Sequence, residues 1–204
     1  MNLDQLPFNG FDVILIVALG LGIYYGRKKG MSGGLMPMSK WLAIVFGCAA
    51  LYLPLGSFLA SSTSMFSTLF CYVVAYIGSM ILIVLVFLGI SHAMGGKLVG
   101  SDVFGGAEYY LGMGAGLVRS TCILIAALAL LNAKYFSPVD VKDMEKFQND
   151  VYGSNFFPTL HTLQAYVFEK SLTGPWIKDN LSFMLITPTK SETKELHQKE
   201  AKWN

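Results

Sequence analysis

Ionisable side chains within the apolar part of this chain are the first candidates for chemistry. Arg119 stands in a long apolar run, and Asp102, Glu108 and Asp12 are the acidic residues in or near such runs. A charged group at membrane depth costs a few kcal/mol, so it is paired, hydrated or placed near the end of a span. Two interpretations stay open: a polar centre in which Asp102 or Glu108 pairs with Arg119, or an arginine near a helix end that reaches lipid headgroups. Asp12 is expected on the opposite face of the membrane.

The sequence offers no complete catalytic or metal-binding motif. Gly30-Met31-Ser32-Gly33-Gly34 matches GxSxG, but it lies in the basic loop predicted at 27–40, and no histidine lies in a later span to serve as a base. HExxH and Walker loops are absent, as is GxGxxG between a strand and a helix. Cys48, Cys71 and Cys122 lie in apolar runs without metal-ligand spacing, so we expect small buried side chains. The three histidines have no cysteine or carboxylate neighbours at zinc spacing. We therefore expect no enzymatic activity, no metal and no cofactor.

The elements that must position these residues are membrane helices. From Trp41 to Gly96 the chain runs 56 residues without Asp, Glu, Lys or Arg, and only 14% of all residues are charged. Wound as an α-helix, that stretch would be roughly 84 Å long, whereas the hydrocarbon core of a bilayer is about 30 Å thick. It is therefore long enough to cross twice. A net charge of +2 is too small and dispersed to indicate a nucleic-acid partner.

The pattern of apolar runs predicts an all-α integral membrane protein with four spans in residues 1–134. A short polar turn at 61–64 joins the second and third spans, and the glycine-rich stretch 95–116 predicts a broken or re-entrant entry to the fourth. The predicted spans are Phe11–Gly26, Trp41–Ala60, Phe66–Ser91 and Gly112–Ala133.

Basic residues predict the orientation of these spans. The loop predicted at 27–40 carries Arg27, Lys28, Lys29 and Lys40 and no acidic residue. Because loops rich in Lys and Arg stay in the cytoplasm, this loop is expected there. The N-terminus and the C-terminal region are then expected outside the cytoplasm.

Small residues spaced four apart occur in two of the predicted spans. Gly22, Gly26 and Gly30 close the first span, and Gly112, Gly116 and Ser120 open the fourth. Such strips let helix backbones approach closely. We expect an interaction face, either within the chain or with a second copy.

Residues 135–204 are more polar. Residues 135–186 are expected to form a short helical extramembrane region, with helices starting at Ser137-Pro138, near Pro158 and after Gly174-Pro175. Residues 187–204 have few apolar side chains, and this composition predicts a polar, disordered tail.

Several short motifs occur along the chain in one order. They are Phe11-Asp12, the basic exit Gly26–Gly30, Gly100-Ser101-Asp102, Gly112 and Gly116 followed by Arg119, and Ser154–Pro158. Together they resemble the colicin V production protein (CvpA) family over about residues 8–160. The sequence departs from the family pattern at Ser120, which replaces a glycine, at Val103, which follows Asp102 in place of an arginine, and in a longer C-terminal extension.

The resemblance implies a four-span protein of the bacterial inner membrane that assists production or export of a peptide toxin, or envelope homeostasis. Two functions stay open. One is an accessory protein that acts through contacts with a membrane protein partner or with its own copy, with Asp102, Gly112, Gly116 and Arg119 as its packing and polar centre. The other is a subunit of a small channel or transporter with a polar site near Arg119 and Asp102.

Overall fold

A computed structural model describes residues 8–62, 66–93, 105–152 and 159–190 of the chain, and almost every element is helical. Three helices are long and apolar enough to cross a membrane. The all-α fold class is therefore as predicted, while the number of crossings stays a prediction. The elements are α1 Gly10–Ser62, α2 Thr68–Ala93, a 3₁₀ turn Gly105–Ala107, α3 Glu108–Leu131, β1 Lys134–Tyr135, α4 Pro138–Tyr152, α5 Leu160–Phe168, α6 Thr173–Asn180, a 3₁₀ turn Ser182–Met184 and β2 Thr189–Lys190.

The long helix α1 consists of two arms that meet at Gly30. Gly30 has φ 69° and ψ 178°, so its backbone leaves the helical region there. The first arm, 10–29, runs antiparallel to α3, because Gly22 lies against Ser120 and Gly30 lies against Glu108. The second arm, 31–62, runs parallel to α3. The chain thus reverses at Gly30, and each arm is about 30 Å or longer.

The loop predicted at 27–40 is wrong, because these residues are helical on both sides of Gly30. Only glycine adopts a positive φ without a steric cost. One residue, Gly30, therefore makes the turn for which the sequence predicted a loop of fourteen residues. Lys40 consequently lies within the second arm, roughly 15 Å along the helix from Gly30, and not in a connection.

Helix α2 packs against the second arm of α1 in antiparallel fashion. The side chain of Tyr72 lies against Gly56, and the thiol of Cys48 is 3.7 Å from the carbonyl oxygen of Tyr76, to which it donates. The described residues cover only one face of α2: of its most apolar window, 17% is buried. The remainder of α2 faces outward.

The start of the last membrane helix differs from the prediction. It begins at Glu108, after a 3₁₀ turn that contains Gly105 and Gly106, rather than at Gly112, so Gly112, Gly114 and Gly116 are part of a regular helix. Residues 94–104 lie outside the described residues, and with them the remainder of the predicted broken entry and Asp102. Arg119 is therefore about three turns inside α3 and not near its end.

The C-terminal region is anchored to the ends of the membrane helices. Leu185 and Ile186 are buried in the same core as Phe11, Tyr76 and Ala129. β2 pairs in parallel with β1, which directly follows α3. The first residues of the predicted tail are therefore part of the fold, and residues 191–204 lie outside the described residues.

Side-chain caps start the two helices that the sequence predicted most clearly in this region. The Ser137 hydroxyl accepts from the backbone N–H of Asp140, and the Asp140 carboxylate accepts from the backbone N–H of Ser137, so α4 starts with a reciprocal cap. The Thr159 hydroxyl accepts from the N–H of Thr162 at the start of α5. The third predicted helix starts at Thr173, just before Gly174-Pro175.

Candidate functional site

The two predicted small-residue strips lie against each other and form what we call the glycine seam: Gly22, Gly26 and Gly30 on α1 with Gly112, Gly116 and Ser120 on α3. A Cβ added at Gly112 would lie 2.6 Å from the carbonyl oxygen of Gly26 and 2.8 Å from the Cα of Gly30. At Gly116 it would meet the backbone of Gly22 and Gly26. The two backbones are therefore in direct contact, and the seam is an interface within the chain.

Glu108 lies at the closed end of the seam, where α1 reverses. Its Oε1 accepts from the backbone N–H of Ser32 and from the Ser32 hydroxyl, each at 2.7 Å. Ser32 is in the first turn of the second arm, whose N–H groups have no partner within the helix. Glu108 thus caps the second arm and supports the Gly30 reversal. The expectation that Glu108 could pair with Arg119 is wrong, since the two are roughly 16 Å apart along α3.

Arg119 lines a cavity beside the glycine seam, which we call the Arg119 groove. The cavity has a volume of about 520 Å³ and lies between both arms of α1 and α3. Arg119 is half-buried there, and Lys29 from the first arm lines the same groove. Most of the wall is apolar. It is formed by Ala18, Leu21, Gly22, Tyr25, Gly26, Gly34, Pro37, Ala115, Gly116, Ser120, Ile123 and Leu124.

Asp12 is not part of this polar region. It is buried, with 2% of its surface exposed, about 15 Å from Gly22 along the first arm. Its Oδ1 accepts from the N–H and the hydroxyl of Thr173 at 3.2 and 2.7 Å. Its Oδ2 accepts from the N–H groups of Leu172 and Asn9, both at 3.1 Å. One carboxylate therefore caps the start of α6 and ties it to the start of α1.

The basic residues that were predicted to set the topology do not all line the same groove. Arg27 and Lys28 line a second surface groove together with Tyr24 and Tyr109. Lys29 faces the Arg119 groove instead. All three are exposed near the Gly30 reversal, whereas Lys40 is half-buried farther along the second arm. Their role in setting the topology stays a prediction.

The described residues contain no group of three His, Cys, Asp or Glu side chains that could hold a metal ion. Cys48, Cys71 and Cys122 are buried and free, as their apolar surroundings predicted. His161 packs edge-on against Phe136. The absence of a metal and of a cofactor stays a prediction.

Sequence reasoning missed the polar side chains that join the C-terminal region to the membrane helices. The Asn132 amide donates to the carbonyl oxygen of Ile186 at 3.0 Å, and Gln164 donates to the carbonyl oxygens of Leu131 and Lys134 at the end of α3. A buried asparagine at the end of an apolar run was an available signal, because buried amides need partners. The carbonyl groups that Asn132 and Gln164 bind could be identified only from the tertiary fold, because they lie at least 30 residues away in sequence.

Comparison with known proteins gives one match. The family model described as colicin V production protein matches residues 11–165. That range covers about three quarters of the chain. No curated protein and no solved structure matches the chain.

Proposed function

Because the chain belongs to the colicin V production protein family, we propose that it is a non-enzymatic accessory protein of the bacterial inner membrane. It assists production or export of a peptide toxin, or envelope homeostasis, by contacting another membrane protein. The contact surface is the outward face of α2.

The observation that carries this proposal is the uncovered face of α2. Gly78 and Gly89 are exposed with nothing within 4 Å of an added Cβ, and they lie about three helical turns apart on one face. Leu82 and Leu85 lie between them and are 57% and 61% exposed. Small residues on a membrane helix permit close approach of a second helix, whereas lipid gains little from them. The intramolecular seam uses the other available glycine strips, so the α2 face is left for a partner.

The test replaces the α2 glycines with a bulky residue. Gly78→Leu and Gly89→Leu should each reduce recovery of partner proteins after crosslinking in native membranes, because a leucine holds the partner backbone away. Gly20→Leu is the matched control, since Gly20 is also an exposed helix glycine with nothing within 4 Å. All three variants gain a similar helix propensity, so they should change the stability of the protein itself alike. Equal recovery from all three variants would contradict the proposal.

Arg119 favours a second candidate, a subunit of a small channel or transporter. The residue is half-buried about three turns inside α3 and lines a cavity, as ion-pathway residues of membrane proteins do. Arg119→Ala or Asp102→Asn should then abolish flux in reconstituted liposomes while assembly is retained. An accessory protein shows no flux at all, in the wild type or in the variants.

We also propose that both ends of the chain lie outside the cytoplasm. The contact of Asp12 with Thr173 supports a common side, because the chain must then cross the membrane an even number of times between them. The basic residues beside Gly30 support a cytoplasmic hairpin end. A phosphatase that is active only outside the cytoplasm should be active when it is fused after Asn204. An inactive fusion that is present in the membrane would contradict this orientation.

A further inference from the structure

The Arg119 groove is lined by two cations from different helices, Lys29 from the first arm of α1 and Arg119 from α3. In an α-helix, side chains lean toward the N-terminus. The first arm and α3 are antiparallel, so Arg119 leans toward the Gly30 end of the molecule and Lys29 leans from that end toward Arg119. Both side chains line the same cavity. The groove therefore concentrates two positive charges along one stretch of its length.

Neither cation has an anionic partner in the part of the chain that the structure describes. Glu108, the acidic residue of α3, accepts from Ser32 through Oε1 at the reversal, and its Oε2 is buried there without a hydrogen-bond partner among the described residues. Asp12 is engaged by Thr173 at the far end of the first arm. A guanidinium carries five N–H donors, and at membrane depth water is scarce. An external anion with several acceptor oxygens would complement this pair.

Several of the exposed side chains that line the groove are apolar or aromatic. Leu21 and Tyr25 of the first arm are 51% and 54% exposed, and Ile123 of α3 is 37% exposed. They belong to helices that are apolar and long enough to span a membrane, so we expect this side of the groove to face lipid. The volume of about 520 Å³ is within the usual range of ligand pockets, about 300–1,000 Å³.

We propose that the Arg119 groove is a binding site for one anionic phospholipid. The lipid phosphate lies between Lys29 and Arg119, and an acyl chain follows the apolar wall past Leu21 and Ile123. Arg is well suited to phosphate because its planar fork donates two parallel hydrogen bonds, and Lys adds a point charge nearer the membrane surface. Basic pockets between membrane helices recognise phospholipid headgroups by this chemistry. The site goes beyond the partner contacts proposed above and uses a different face of the protein.

The experiment measures lipid selectivity of the full chain in phosphatidylcholine bilayers. Electron spin resonance of spin-labelled phosphatidylglycerol and spin-labelled phosphatidylcholine gives their relative association with the protein. The wild type should prefer phosphatidylglycerol. Lys29→Gln should weaken this preference about fivefold, and Arg119→Gln should weaken it about tenfold or more. No partner protein is present, so failure of the lipid site and failure of the α2 contact are distinguished.

Lys28→Gln is the matched control, because Lys28 is the neighbouring cation and faces a different groove. It should leave the preference nearly unchanged. Lys29 is exposed, so Lys29→Gln tests the site even where Arg119→Gln fails to fold. Three results would overturn the proposal: no preference in the wild type, an equal loss in Lys28→Gln and Lys29→Gln, or displacement of the labelled lipid by inorganic phosphate, which would identify a soluble anion as the ligand.

Discussion

Replacement of Gly116 by alanine tests the glycine seam at its most crowded point. The new Cβ would lie 2.8 Å from the Cα of Gly26 and would also meet the carbonyl oxygen of Gly22. Carbon atoms pack at about 3.5–4.0 Å, so α3 and the first arm would have to separate by roughly 1 Å. Both neighbours are backbone atoms, which cannot rotate away as a side chain could.

The matched control is Gly114→Ala, two residues away on the same helix. Gly114 is exposed and has nothing within 4 Å of an added Cβ. Both variants gain the same helix propensity, up to about 1 kcal/mol, so the difference between them isolates the packing effect. Overpacking a close contact costs about 1–3 kcal/mol, and we expect Gly116→Ala to be less stable than Gly114→Ala by that amount. For a chain of this size the gap is roughly 2–12 °C in unfolding temperature.

A thiol-reactive fluorescent dye measures this unfolding in detergent. Cys48, Cys71 and Cys122 are 0%, 3% and 5% exposed, so the dye reports their release from the core. The protein supplies its own probes and needs no labelling mutation. If Gly116→Ala and Gly114→Ala unfold at the same temperature, the two helices are not in backbone contact and the seam is refuted.

The same unfolding assay checks three further substitutions. Asp12→Ala should cost about 2–3 kcal/mol, because it leaves buried N–H groups without acceptors, whereas Asp140→Ala removes an exposed cap and should cost about 1 kcal/mol or less. Gly30→Ala should cost about 2 kcal/mol through its positive φ and its contact with Glu108. Gly33→Ala, whose Cβ meets only an ordinary contact, should be neutral or stabilise the protein by up to about 1 kcal/mol. Glu108→Ala should cost about 1–3 kcal/mol, with Glu108→Gln milder because it keeps one acceptor oxygen. Equal losses within either matched pair, or equal losses for the two Glu108 variants, would contradict these assignments.

The elements and their packing strips were accessible from the sequence because both follow from local patterns. Apolar runs indicate membrane helices, and glycines spaced four apart indicate a flat face. The sequence also predicted helix starts at Ser137 and near Pro158, where capping chemistry is local.

The reversal at Gly30 could not be read in the same way. Arg27, Lys28 and Lys29 precede Gly30 and are typical of a connecting loop, yet they remain helical because a single glycine supplies the turn. The positive φ of Gly30 is a property of the folded chain, and the residues beside it in the sequence do not indicate it. The hydrogen-bond partners of Asp12 and Glu108 could not be predicted for a related reason. Thr173 and Ser32 are distant from them in sequence, and spacing patterns identify only neighbours within one helix or turn.

The carboxylate of Asp12 has a consequence for the order in which the protein matures. Three of its four hydrogen bonds come from Leu172 and Thr173, which are synthesised roughly 160 positions later, so the first helix enters the bilayer with a carboxylate that has only Asn9 as a donor. The contact between Asp12 and the start of α6 can therefore form only after α6 has been synthesised and lies on the same side of the membrane as Asp12. A chain stopped before Leu172 keeps all of its long apolar helices and still lacks the closing contact, so truncation products should be inserted yet readily degraded.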